Sequence, residues 1–112
     1  LGAIELKPKR KFYDYKAKYL KSAQTLHLMP ALLSNQKYKE VLILAKKAHN
    51  ALNCRGITRS DFKFEDNKFY LLEINTQPGM TDLSLVPEIA KHLGISFKNL
   101  VKEIIDDASI NR

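Results

Sequence analysis

The sequence predicts an α+β fold in which an antiparallel sheet carries packed helices. Three observations predict it. Strand-like segments come in adjacent pairs joined by turn signals, and a helical apolar period appears between and after those pairs. The resulting order β-β-loop-α-β-β-α-α lacks the strict alternation of a doubly wound parallel sheet. With 112 residues, 45% of them apolar and 28% charged, the chain has the balance of a folded domain with one hydrophobic core.

Ala3-Ile4-Glu5-Leu6 reads as a first strand that ends at the Lys7-Pro8 turn signal, and Phe12-Tyr13-Asp14-Tyr15 as an aromatic-rich second. Residues 16–37 show no steady period and hold Ser22, Pro30, Ser34 and Asn35. They read as a long loop, which in a compact domain is more often functional than idle. From Tyr38 to Leu52 the spacing turns helical: Val41, Leu44, Ala45, Ala48 and Leu52 share one face, with Lys39, Glu40, Lys46, Lys47 and Asn50 opposite and Gly56 as a stop. Two strands follow, Ile57 to about Phe64 and Phe69 to Asn75, joined by a turn at Glu65-Asp66-Asn67-Lys68. Ser84 suits the N-cap of a helix that tolerates Pro87 in its first turn and ends at Gly94. Ser96 opens a last helix with Leu100, Val101, Ile104, Ile105 and Ala108 on its expected buried side.

The formal net charge is +7, with 13 Lys or Arg against 3 Asp or Glu in residues 1–60 and 6 against 9 in residues 61–112. A basic front half invites an acidic partner. Its densest cluster, Lys7, Lys9, Arg10 and Lys11, is broken by Pro8 and comes with no zinc finger, RNP motif or GXXG loop. A small basic nucleic-acid-binding domain is therefore the alternative function, with a solvated basic edge or a nucleoside triphosphate partner preferred. The longest apolar run, Val41 to Ala45, is far short of the roughly 20 residues that span a bilayer. No membrane span or signal-peptide stretch is read, and a cytoplasmic protein is expected. Cys54 reads as a buried reduced thiol, and His27, His49 and His92, lacking ligand spacing, as structural or surface residues. The first residue, Leu1, in a strand-like opening suggests a piece of a longer chain or a processed product.

The hairpin holds the chemistry. Residues two apart on a strand point the same way, so Arg59 shares a face with Asp61, and Glu73 with Asn75. If Asp66-Asn67-Lys68 form a three-residue loop, Asp61 faces Glu73 and Arg59 faces Asn75, while Phe62 meets Leu72, Phe64 meets Tyr70 and Ser60 meets Ile74. A four-residue loop, Glu65 to Lys68, would pair Asp61 with Leu72 and Ser60 with Glu73, mixing polar and apolar on both faces. Burial of one face selects the three-residue loop. Two carboxylates then lie with Cβ atoms about 5 Å apart, where like charges repel and a positive group is required. Asp, Glu and Asn supply hard oxygens that suit Mg²⁺, completed by phosphate and water. A solvated polar face with a plain Arg–carboxylate pair answers the same pattern, and both answers stand at this point. Beyond the strand, Gly79 can offer a backbone N–H at close range and a helix start near Ser84 is a ready anion site. An ordinary turn and N-cap is the simpler reading of that stretch.

Several motifs in order carry a resemblance: Phe12 through Leu20; Pro30-Ala31; Cys54-Arg55-Gly56 with Arg59-Ser60-Asp61-Phe62; Leu71-Leu72-Glu73-Ile74-Asn75-Thr76; Pro78-Gly79-Met80-Thr81; and Ser84-Leu85-Val86-Pro87. Together they resemble the C-terminal part of the D-alanine:D-alanine ligases, ATP-grasp enzymes of peptidoglycan synthesis. The resemblance implies that residues 1–112 are the C-terminal portion of an ATP-grasp catalytic domain, with residues 16–37 as a substrate-closing loop. It implies that ATP is a substrate, that an acyl phosphate joins two D-alanines, and that Asp61, Glu73 and Asn75 hold two Mg²⁺ (or Mn²⁺) ions. Arg59 and the Gly79 N–H would stabilise developing negative charge, Ser84 and Leu85 would bind the carboxylate of the second D-alanine, and Tyr19 would orient that substrate. Lys18 would reach ATP phosphate and Phe12 would lie near the nucleotide. Lys16 stands where the family has an acidic residue, and Thr58 where it has a small one. The resemblance leaves a homodimer open for the full enzyme. It also places the N-terminal and central ATP-covering parts outside these residues, so that a truncated non-catalytic remnant is a further alternative.

Overall fold

A computed structural model describes residues 1–7, 26–81 and 83–110. Its elements are β1 (Glu5–Lys7), β2 (Leu26–Leu28), α1 (Asn35–Ala51), β3 (Arg59–Glu65), β4 (Lys68–Asn75), α2 (Leu85–His92) and α3 (Phe97–Asp107). The strands form two antiparallel pairs, β1 with β2 and β3 with β4. This is the expected α+β composition with local antiparallel pairing. The expected strand at Phe12 to Tyr15 lies outside the described residues. Among those described, the partner of β1 is β2, inside the stretch expected to be loop: Glu5 faces Leu28 and Lys7 faces Leu26.

The same stretch also yields the start of α1 three residues earlier than its apolar spacing suggests. Ser34 is the reason, because its Oγ accepts the Lys37 N–H at 3.2 Å and satisfies a first-turn donor. Val41 is the buried centre of α1's apolar side, whereas Leu52, expected on that side, is the C-cap and exposed. Tyr38 on this helix accepts the Ala3 N–H at 2.9 Å through its hydroxyl, tying the chain start to α1. His49 Nδ1 lies 2.8 Å from Thr58 Oγ1 and joins the end of α1 to the entrance of β3. That contact gives His49 the structural role expected of it and gives Thr58 a polar partner.

The main core sits beneath α2 and α3. Val86, Ala90 and Leu100 are buried together, with Ile57, Met80 and Ile95 packed against them. α3 starts where Ser96 Oγ accepts the Asn99 N–H at 3.1 Å. Only Leu100 of its expected apolar face is buried; Ile104 is partly exposed, Ile105 is 65% exposed and Ala108 is open to solvent. The face was read from spacing, but α3 has α2 as its one substantial packing partner among the described elements, so the second half of the stripe lies beyond contact. No helix among the described residues is long and apolar enough to cross a membrane.

Leu100→Ala removes a fully packed side chain from the cluster that holds Met80 and is expected to cost about 3 kcal/mol in urea unfolding. Ile105→Ala, on the same helix, is expected to change stability by less than about 0.5 kcal/mol.

Candidate active site

β3 and β4 use two registers. At the tip Glu65 faces Lys68, Phe64 faces Phe69, Lys63 faces Tyr70 and Phe62 faces Leu71; beyond an irregularity between Asp61 and Phe62, Asp61 faces Glu73, Ser60 faces Ile74 and Arg59 faces Asn75. The turn is therefore two residues, Asp66 and Asn67, both with positive φ (52° and 63°), the conformation of a tight hairpin turn that Asp and Asn tolerate. This overturns the three-residue loop and, with it, the pairs Phe62–Leu72 and Phe64–Tyr70. The Asp61–Glu73 and Arg59–Asn75 pairs hold nonetheless, because Leu72 is the extra residue of a β-bulge. Without the bulge, the two-residue turn would have set Glu73 opposite Ser60. Leu71 and Leu72 together take one place in the alternation, and the polar face is restored past them. On the apolar face the Phe64 and Phe69 rings lie 4.6 Å apart and Phe62 meets Phe69 edge-on at 6.1 Å.

On the polar face Arg59 Nε donates to Asp61 Oδ1 at 2.8 Å and Nη2 to Asp61 Oδ2 at 3.0 Å, a bidentate fork, and Nη2 lies 3.8 Å from Glu73 Oε1. The guanidinium, 20% exposed, thus spans both carboxylates and supplies the positive group their opposition requires. The Arg–carboxylate pair anticipated from the pattern is formed. Glu73, at 57% side-chain exposure, is the more open of the two acids. Asn75 Oδ1 accepts the Gln77 N–H at 2.9 Å and can still accept through its remaining lone pair. Among the described residues no group of three His, Cys, Asp or Glu converges. The donor set is two carboxylates and one amide oxygen, which fits a hard divalent cation finished by water and phosphate oxygens.

The strand leaves through Pro78, which is buried, and Gly79. A Cβ on Gly79 would stand 2.8 Å from Ser84 Oγ, so a side chain cannot enter without moving that hydroxyl. Ser84 Oγ accepts the Thr81 N–H at 2.9 Å and lies 2.8 Å from Thr81 Oγ1, which itself accepts from the Leu83 N–H at 3.3 Å. Ser84 is the N-cap residue of α2, as expected, but its hydroxyl makes no cap hydrogen bond; Thr81 holds it back. Leu85 is the first residue of α2. Sequence reasoning missed Thr81 in this role, and its signal was a Thr three residues before a Ser at a helix start. Phe12, Lys18, Tyr19 and the cluster Lys9 to Lys11 lie outside the described residues, as do residues 16–25 of the expected closing loop; residues 26–28 and 35–37 belong to β2 and α1. His27 Nδ1 pairs with Glu88 Oε1 at 2.6 Å, a surface role as expected, and Cys54 is a half-buried free thiol.

By fold, the chain is similar to the C-terminal part of ATP-grasp ligases. A solved D-alanine--D-alanine ligase from Bacillus anthracis complexed with ATP matches it with a TM-score of 0.76 and 27% identity, over 96% of this chain and 33% of that one. A second structure of the ligase from that organism gives 0.76 and 33% identity, over 93% and 34%. The family described as D-ala D-ala ligase C-terminus matches residues 1–106, and the chain belongs to it. Among curated relatives, D-alanine--D-alanine ligase of Pelagibacter ubique (strain HTCC1062) is 64% identical over 112 residues, all of this chain and 37% of the relative, and that of Xanthobacter autotrophicus is 46% identical over all of this chain and 38% of the relative. The chain thus spans a little over a third of the length of the curated relatives it matches.

The contact between Gly79 and Ser84 is testable by a double-mutant cycle. Gly79→Ala is expected to cost about 1–3 kcal/mol through overpacking and Ser84→Ala about 1 kcal/mol through lost hydrogen bonds. The double variant is expected to cost clearly less than their sum, because the added methyl then finds the space the hydroxyl left; chemical denaturation measures all three.

Proposed function

We propose that this chain supplies the cation-binding and second-substrate half of a D-alanine:D-alanine ligase, an ATP-dependent enzyme that joins two D-alanines for peptidoglycan synthesis. The observation that carries it is the polar face of the hairpin, where Arg59, Asp61, Glu73 and Asn75 meet in a member of the ligase family.

In this reading ATP phosphorylates the carboxylate of the first D-alanine, the amine of the second attacks the acyl phosphate, and phosphate leaves the tetrahedral intermediate. Asp61, Glu73 and Asn75 would hold two Mg²⁺, or Mn²⁺, ions. Bound there, the ions supply Lewis-acid charge stabilisation and alignment to the transferring phosphoryl group. Arg59, already within reach of both carboxylates, offers its fork to the negative charge that develops on the acyl phosphate and the intermediate. The Gly79 N–H donates to the oxygen that becomes anionic, a contribution that grows in a site closed to water. Ser84 and Leu85, at the start of α2, take the free carboxylate of the second D-alanine, where the helix N-terminus favours an anion. Lys18 contacts ATP phosphate, Tyr19 orients the second amino acid and Phe12 lies by the nucleotide. Of the expected closing loop, the part before β2 closes over the substrates, residues 26–28 and 35–37 being held in β2 and α1, and the first-substrate pocket and the phosphate-covering loop belong to the parts of the ligase beyond this chain.

In the full-length ligase, Arg59→Ala and Glu73→Gln are each expected to lower ATP- and D-alanine-dependent phosphate release by at least about 10²-fold, the scale of losing one preorganised charge contact. The 112-residue chain alone is expected to show no turnover. Full-length variants with undiminished rates would overturn the assignment of these residues, and turnover by the isolated chain would overturn the division of the site.

A further inference from the structure

The cation site proposed above and the Arg59 fork make claims on the same oxygens. Both Asp61 carboxylate oxygens accept from Arg59, at 2.8 and 3.0 Å, and the guanidinium reaches to 3.8 Å from Glu73. A divalent cation between Asp61 and Glu73 needs lone pairs of that carboxylate directed at itself, and it would stand within a few ångströms of a fixed positive charge. At that range like charges oppose each other strongly in a half-buried setting.

We propose that Arg59 is the resident counter-ion of the carboxylate pair when no metal is present, and that binding of a divalent cation displaces its fork from Asp61. The inference rests on the reading of Asp61 and Glu73 as metal ligands. Its content is an exchange. The hairpin is neutralised by Arg59 until a metal arrives, and the same event that fills the site turns the guanidinium away from Asp61 and makes its donors available to an anionic substrate. The orientation of Arg59 then reports metal occupancy. The fork matters here, because two parallel N–H bonds hold a carboxylate that a single ammonium would hold at one point.

The test uses the full-length ligase without nucleotide. Free Mn²⁺ is followed by electron paramagnetic resonance, and the Arg59 Nε–H signal by NMR of arginine-labelled protein titrated with Mg²⁺. Wild-type protein is expected to bind Mn²⁺ in a manner lost in Glu73→Gln. Arg59→Ala is expected to bind Mn²⁺ about tenfold more tightly, the lower end of what an adjacent charge does to a carboxylate's affinity for a cation. Arg59→Lys should move in the same direction by less and covers the case in which the alanine variant fails to fold. Lys63→Ala, which removes an exposed positive charge from the same strand, should change the affinity little, because an exposed ammonium in high dielectric interacts only weakly. Mg²⁺ is expected to shift the Arg59 Nε–H signal and abolish its protection from exchange. Glu73-dependent Mn²⁺ binding that is unchanged or weaker in both Arg59 variants, or an Nε–H signal unmoved at Mg²⁺ saturation, overturns the exchange and leaves the metal site standing. Absence of Glu73-dependent Mn²⁺ binding overturns the metal site and the exchange together.

Discussion

Two carboxylates facing each other across a strand pair repel, and the hairpin is organised around that fact. A regular ladder running from the two-residue turn would have separated them, sending Glu73 to the partner position of Ser60. The bulge at Leu72 brings Glu73 opposite Asp61, a placement that carries an electrostatic cost unless a cation answers it. Arg59, two residues before Asp61 on the same face, answers it with a bidentate fork. Turn, bulge and ion pair are therefore one device, since the turn dictates the register that the bulge must correct and the corrected register creates the need for the guanidinium.

The second half of the site depends on the core. Met80 packs against the cluster of Val86, Ala90 and Leu100, and Pro78 beside it is buried, so the chain leaving the carboxylate strand is pinned on both sides of Gly79. A Cβ at Gly79 would stand 2.8 Å from the Ser84 hydroxyl and force it to move. Thr81 fixes that hydroxyl through its N–H and Oγ1. The α2 start is thereby held near the end of β4 by hydrophobic burial, and its own N-cap serine is spent on the loop and not on the helix.

Much of this was legible in the sequence because it follows from alternation. Strand parity placed Arg59 with Asp61 and Glu73 with Asn75, and the wish to separate polar from apolar faces brought the pairs together. The turn differs from the expected one because a bulge supplies the same facing as a uniform register with one residue fewer in the loop, and nothing in the letters Leu71-Leu72 distinguishes the two solutions except that two leucines interrupt an otherwise clean alternation. β2 was invisible for a related reason: three residues, Leu26 to Leu28, are too few to show a period, and they are held by pairing with β1, a contact distant in sequence. The exposure of Ile104 and Ile105 shows the converse. Spacing reveals which side of a helix is apolar, but only the neighbouring elements decide how much of that side is covered.

Charge composition, by contrast, carried less than it seemed to. The chain changes sign at the start of β3, with Arg59 the last cation of the basic half and Asp61 the first acid of the acidic half. Among the described residues, Lys7, Lys39, Lys46 and Lys47 of the front half are exposed, and solvent at physiological ionic strength damps charges beyond about 8 Å. Net charge therefore says that an anion is welcome without saying where. What marks the candidate site is one cation within hydrogen-bond distance of one carboxylate and within 4 Å of another. A lysine at position 59 would leave the net charge unchanged and could not bridge the pair with a planar fork, so the arrangement of this face depends on that fork and on the register that aims it.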